Sequence, residues 1–123
     1  MFNISVDGII SLTRGDCVSI PLFINKGTEI RPMRYELTDN DVVYVGICQP
    51  NEKFENAIVR KTYTKDNRTI NSHGDLVVSF DTNDTEYLED GLYYYIVKLA
   101  TTNEDSSVDV QTIIQKTKFY IED

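Results

Sequence analysis

His73 is the only histidine in the chain, and it is where proton transfer would have to be built. General acid–base work needs a partner that orients the imidazole and a pocket that holds the reacting group. His73 stands beside Gly74 and Asp75 in a polar stretch, so it reads as a solvated loop residue. The two cysteines, Cys17 and Cys48, lack zinc-type spacing. A buried pair of free thiols is expected, with a bridge across the sheets as the alternative. Acids crowd at Asp81, Asp84, Glu86, Glu89 and Asp90, and again at Asp39 and Asp41. Calcium takes about six to eight oxygens from a tightly turning loop, and the run from Asp81 lacks the glycine an EF-hand carries at its sixth position. Arg14-Gly15-Asp16 matches an integrin-binding tripeptide, yet Gly between polar residues is what a tight turn requires. There is no phosphate-cradling glycine loop and no nucleophile elbow. The chain is expected not to be an enzyme, with no catalytic residue, cofactor or metal ligand.

Totals narrow the partners. The net charge is −8, from 20 acids against 12 bases. That disfavours nucleic acid, whose phosphates need concentrated Lys and Arg. The basic residues Arg60, Lys61, Lys65 and Arg68 are interrupted by Asp66 and read as a solvated strand face. The first residues carry no basic stretch before an apolar run, so neither a secretory signal nor a membrane anchor is expected, and synthesis with reduced thiols follows. The sequons at Asn3, Asn67 and Asn83 then carry no weight. At 123 residues one domain spanning 1–123 is expected.

The elements that would position these residues are strands. Eight Tyr and five Phe accompany many Val, Ile and Thr, types that favour a pleated surface. Alternation at period two dominates. It predicts strands over residues 2–6 and 9–13 about an Asp7-Gly8 turn, then a turn at 14–16. A strand over 17–25 follows, with Val18, Ile20, Leu22 and Ile24 on one face. Pro21 within it predicts an edge or a bulge. A turn at 26–28 and a short apolar segment over 33–37 come next. Val43, Val45 and Ile47 then line a strand that ends near Cys48. A more polar strand is expected over 57–65, and Leu76, Val78 and Phe80 face inward from another. Residues 81–89 could form a helical turn, capped by Asp81 or Thr82 and stopped by Gly91. Tyr93, Tyr95, Val97 and Leu99 line the strongest strand. The last runs over 108–121, and its alternation changes phase at Ile113-Ile114, which predicts a bulge. Short strands with turn signals between them indicate an all-β, antiparallel sandwich of about 7–9 strands. Glu89-x-Gly91-x-Tyr93 resembles a tyrosine corner, which moves the expectation to an immunoglobulin-like sandwich with a buried Tyr93 bonded to nearby backbone. Gly15, Gly91 and Tyr93 are thus expected to be structural.

If Tyr93 and Tyr95 face the core, Tyr94 faces the other way, as does Tyr44 between Val43 and Val45. With Tyr120 these are the candidate protein-interface residues, since amphipathic aromatics make good anchors. Covering strand edges or packing under loops is the alternative reading.

In order along the chain, Leu12-Thr13-Arg14-Gly15-Asp16, Tyr35-x-Leu37 with Asp41 before Val43-x-Val45-x-Ile47, Leu76 to Phe80 with Asp81-Thr82, and Leu88-x-x-Gly91-x-Tyr93-x-Tyr95-x-Val97-x-Leu99 form a series. It resembles a family of phage and prophage structural domains, represented by the N-terminal domain of the upper baseplate protein of lactococcal-type phages. The resemblance spans roughly residues 9–122. It departs at Cys17, where the family has a small polar residue, and over 26–31, where it has an Asp-Gly hairpin. It implies a bacteriophage virion structural protein, a small tail, baseplate or head-attached component made in the host cytoplasm. In that place the protein is expected to dock on other virion proteins as a homo-oligomer in a ring or trimer; the acidic charge and the absent anchor give the expectation of no nucleic acid or membrane partner. The matching positions are structural and supply no binding site. A carbohydrate- or cell-surface-binding module is the alternative, disfavoured by the absence of Trp. A metal-dependent hydrolase would rest on His73 and scattered acids alone.

Overall fold

In the computed structural model the backbone of residues 3–4 and the whole of residues 8–28 and 30–123 are described. Phe2, Val6 and Asp7, on which two of the expectations fall, lie outside them, as does the side chain of Asn3.

Alternating β-branched and aromatic residues fold as strands because every second side chain can then leave water. The protein is all-β. Eight strands form among the described residues: β1 (Asn3–Ile4), β2 (Ile10–Thr13), β3 (Val18–Leu22), β4 (Asp41–Cys48), β5 (Val59–Tyr63), β6 (Leu76–Phe80), β7 (Gly91–Thr102) and β8 (Val108–Glu122). A large sheet has the order β1-β2-β8-β7-β4-β5, and β3 pairs with β6 in a small one. Their facing sides build one core. Val43, Val45, Ile47, Tyr95, Val97 and Leu99 come from the large sheet; Ile20, Leu76, Val78 and Phe80 come from the small one. Phe119 is fully buried among them, edge-on to Phe80 at 5.9 Å and to Tyr95 at 6.3 Å between centroids. Burying such a ring contributes about 2–3 kcal/mol.

The large sheet is mixed, which corrects the expectation of an antiparallel structure. β2 runs parallel to the end of β8, from Ile10 opposite Phe119 to Thr13 opposite Glu122. Parallel neighbours need a long connection, and here nearly the whole chain supplies it. Local alternation cannot report such a pair, because it fixes a strand's face and not its neighbour's direction.

Pro21 sits mid-strand in β3, and two hydrogen bonds explain why it is tolerated. The backbone N–H groups of Val77 and Ser79 donate away from β3, to the Thr69 carbonyl at 2.9 Å and the Tyr63 hydroxyl at 3.1 Å. Their partners in register, Pro21 and Ser19, therefore face the free edge, where a missing N–H costs no ladder bond. Along β8 the register against β7 slips twice, between Tyr95 and Val97 and between Val97 and Lys98. Each slip adds one residue to β8 beside Ile114. These bulges carry the phase change expected at Ile113-Ile114, and beyond them residues 102–112 are all exposed.

The crossover from β6 to β7 carries the short helix α1 (Thr82–Thr85), with Asp81 as its cap residue. The helix ends at Glu86, so Gly91 does not stop it. Gly91 instead opens β7 at φ +142°, a region that excludes most side chains, with open space where a Cβ would stand. Two residues on, Tyr93 is 8% exposed and its hydroxyl donates to the Glu89 carbonyl at 2.7 Å. Lys61 pairs with Asp84 at 2.7 Å, so this ion pair and the Tyr63–Ser79 bond tie β5 to the β6–α1 side. Among the described residues the opposite margin is open. A cleft of about 380 Å³ lies there, lined by Ile10, Ile20, Leu22, Val45, Tyr95 and Phe119 among others.

Candidate functional site

Register places Tyr44, Tyr94 and Tyr120 on the outer face of the large sheet. Tyr44 is opposite Lys98, Tyr94 is opposite Cys48 and Lys118, and Tyr120 is opposite Leu92. All three are half-buried. They do not form one continuous patch, because the connection over residues 49–58 folds down between Tyr44 and Tyr94. Phe54, in a 3₁₀ turn (Phe54–Asn56), lies flat against Gly46, where a Cβ would come within 2.7 Å of its ring. Two cations stand over the same ring, Lys98 at 4.8 Å and Arg60 at 5.1 Å from its centroid. Lys116 reaches from β8 to the carbonyls of Pro50 at 2.7 Å and Glu52 at 3.4 Å, passing 5.1 Å from the Tyr94 ring. Tyr94 is thus partly roofed, whereas Tyr44 lies beyond the loop. Sequence reasoning missed Phe54, Lys98 and Lys116. The signal available was Gly46, a lone glycine in a strand interior that marks a close approach.

The two thiols are free, with Cys17 exposed and Cys48 buried, which corrects the expected buried pair. Cys17 precedes β3 and lies 3.4 Å from the Thr82 hydroxyl. Cys48 is on the outer face of β4, capped by the Lys53 carbonyl at 3.5 Å. Burial raises the Cys48 thiol above its ordinary pKa.

The Arg14-Gly15-Asp16 turn is built into the fold. Gly15 has φ +84°, its N–H donates to the buried Thr85 hydroxyl at 2.9 Å, and Asp16 closes the turn on the Thr13 carbonyl at 3.1 Å. The Arg14 guanidinium turns back to Asp123 and the Leu88 carbonyl.

Asp41, which the sequence places in an acidic turn, is fully buried at the start of β4. One carboxylate oxygen accepts from the Tyr35 hydroxyl at 2.7 Å, the Thr38 N–H at 2.8 Å and the Thr38 hydroxyl at 3.2 Å. The other accepts from the Thr101 hydroxyl at 2.6 Å. Burial alone would raise this carboxyl; the hydrogen bonds from Thr101, Thr38 and Tyr35 outweigh it and hold the group below the usual carboxylate range. Tyr35 is pushed up by burial and then by the Asp41 charge. The cluster joins a loop to two strands and leaves Asp41 no face toward solvent.

His73 is exposed in the turn after Asn71, whose side chain accepts its backbone N–H at 2.9 Å. It lines a second cleft of about 440 Å³ with Arg34, Tyr35, Glu36 and Arg68. Both arginines have structural partners. Arg34 pairs with Asp75 at 2.9 Å, and Arg68 donates to the carbonyls of Thr38 at 3.0 Å and Asp41 at 3.3 Å. Among the described residues no group of three or more His, Cys, Asp or Glu side chains is placed to hold a metal ion. The run from Asp81 instead yields a cap, an ion pair to Lys61, and Tyr87, which is 88% exposed. No protein-family model, no curated protein and no solved structure matches this chain.

Proposed function

We propose that this chain is a bacteriophage virion structural protein, a small immunoglobulin-like sandwich in a tail, baseplate or head-attached position. It acts by protein–protein contact and not by catalysis. The observation that carries the reading is where its motif residues are spent. Gly15 makes a turn, Gly91 opens β7, Tyr93 makes a corner bond, and Asp41 with Tyr35 anchors β4. The remaining aromatics lie on surfaces: half-buried Tyr44, Tyr94 and Tyr120 on one outer face, Tyr94 partly under Lys116, with the projecting Tyr87 near α1. Aromatic residues beside cations on a pleated face suit docking on a neighbouring protein.

The finer fold belongs to the same reading. β8, β7, β4 and β5 follow the order of the G, F, C and C′ strands of a variable-type domain, and β3 with β6 stands for B and E. A tyrosine corner at the start of the strand in the F position agrees with it. In a particle such a domain docks on other virion proteins and closes into a ring or trimer of copies.

The test is direct. Mass spectrometry of particles purified from the bacterium carrying the gene should recover this chain in stoichiometric amounts with capsid or tail proteins. Particles that lack it would overturn the proposal.

A further inference from the structure

The large sheet has an edge that nothing in the described structure covers. β8 meets β2 only over Phe119–Glu122, so among the described residues no strand pairs with the outer side of residues 108–118. Two bonds fix which backbone groups point outward. Asn103 donates its N–H to the Ser107 carbonyl at 2.8 Å, while Thr102 donates to the Asn40 carbonyl at 3.1 Å, away from β8. Ladder bonds alternate, so Asp109 and Gln111 face β7. Val108, Val110 and Thr112 turn their N–H and C=O groups to the open edge. Val108 is 55% exposed and Val110 is 60% exposed.

Exposed edges invite strand pairing, and proteins blunt them with proline, charge, shortness or bulges. The other margins have such protection. β3 carries Pro21 on its free edge, β5 carries Arg60 and Lys61, and β1 has only two residues. Residues 108–112 precede the bulges and have only Asp109.

Charge selects the occupant. The turn end of the hairpin is acidic, with Glu104, Asp105 and Asp109, and the stretch of β8 past the bulges carries Lys116 and Lys118 before it ends at Glu122. An antiparallel copy of the same strand lays the acidic turn of each toward Lys116 and Lys118 of the other. A parallel copy would set like against like.

We infer that β8 pairs antiparallel with β8 of a second copy, about a two-fold axis at Val110, so that two large sheets continue as one. In this register Val110 faces its own mate and Val108 faces Thr112, giving up to about six N–H···O bonds. The bulges beside Ile114 end the pairing and keep the contact short. The inference stands on the edge and its charges, and does not rest on the virion reading.

Sedimentation of the full chain from about 5 to about 500 µM should show one copy passing to two. Val110→Pro removes the N–H at the axis without touching the β7 ladder. Two bonds lost at about fivefold each predict a dissociation constant raised about 30-fold. Val110→Lys leaves the backbone intact and sets two like charges face to face, and it should also weaken the two-copy form. Circular dichroism and a melting curve on each variant separate lost pairing from lost folding. A single copy at every concentration overturns the inference, as does a dissociation constant left unchanged in both folded variants. A three-copy mass overturns it too while leaving the virion reading standing, and particles without the protein would do the reverse.

Discussion

Replacing Asp41 by Asn keeps the shape of the buried cluster and removes its charge. In the wild type a single carboxylate takes four hydrogen bonds, three on one oxygen and one on the other. The amide can keep its oxygen toward Tyr35 and Thr38 and turn its NH₂ toward the Thr101 hydroxyl, which rotates to accept. The cost is then three charge-assisted bonds weakened to neutral ones, at about 1 kcal/mol each. A loss near 3 kcal/mol is expected. At a urea dependence of about 1.5 kcal/mol per molar, the unfolding midpoint falls by roughly 2 M. Asp41→Ala should cost at least about 1 kcal/mol more, because it strips the acceptor from all four buried donors. The pH dependence follows from the lowered carboxyl. In the unfolded chain Asp41 titrates near the ordinary value of about 4 and takes up a proton before the folded form does. Its stabilisation is therefore complete above that value and is lost as pH falls through the lower folded one. The gap between wild type and Asp41→Asn should hold from pH 7 to about pH 5 and narrow below about pH 4. Urea curves at several pH values measure both quantities. A midpoint shift below about 0.5 M at pH 7, or a gap that widens in acid, would refute the reasoning.

Three further outcomes are expected. Tyr93→Phe keeps the buried ring but orphans the Glu89 carbonyl, and should lower stability by about 1 kcal/mol in the same urea assay. Gly46→Ala drives a methyl into the Phe54 ring and should cost about 1–3 kcal/mol; adding Phe54→Ala should recover most of that, and a double-mutant cycle reads the coupling. A thiol reagent should titrate one cysteine per native chain, the exposed Cys17, with Cys48 reacting only once denaturant opens the residue 49–58 connection.

Much of this fold is legible in the sequence because much of it is local. β4, β6 and β7 follow from alternation: Val43, Val45 and Ile47, Leu76, Val78 and Phe80, and Tyr93 through Leu99 each put one face in the core. The broken phase at Ile113-Ile114 marks where β8 slips. What stays hidden depends on partners far along the chain. The parallel β2–β8 pair has no local signature. The burial of Asp41 is equally silent, because an acid in a polar turn and an acid inside a cluster of four donors look alike until Thr101 is brought 2.6 Å away. For the outer face, a period of two says that Tyr44, Tyr94 and Tyr120 point away from the core. It does not say that Phe54 and Lys116 descend over part of that face from another segment. The thiols fail for the same reason: Cys17 borders a strand yet stays exposed beside Thr82.

The pairing of β2 with the end of β8 also sets the order in which the protein can be made. Ile10 and Leu12 are among the first core residues to leave the ribosome, and their partners, Phe119 and Ile121, are among the last of the described chain. Until those residues emerge from the exit tunnel, β7 has a bare flank and β2 has only the two-residue β1 beside it. Closure of the large sheet therefore waits for synthesis through Glu122, and the nascent chain carries an incomplete core until then. A translation pause just before residue 119 would prolong that exposed interval far more than a pause early in the chain.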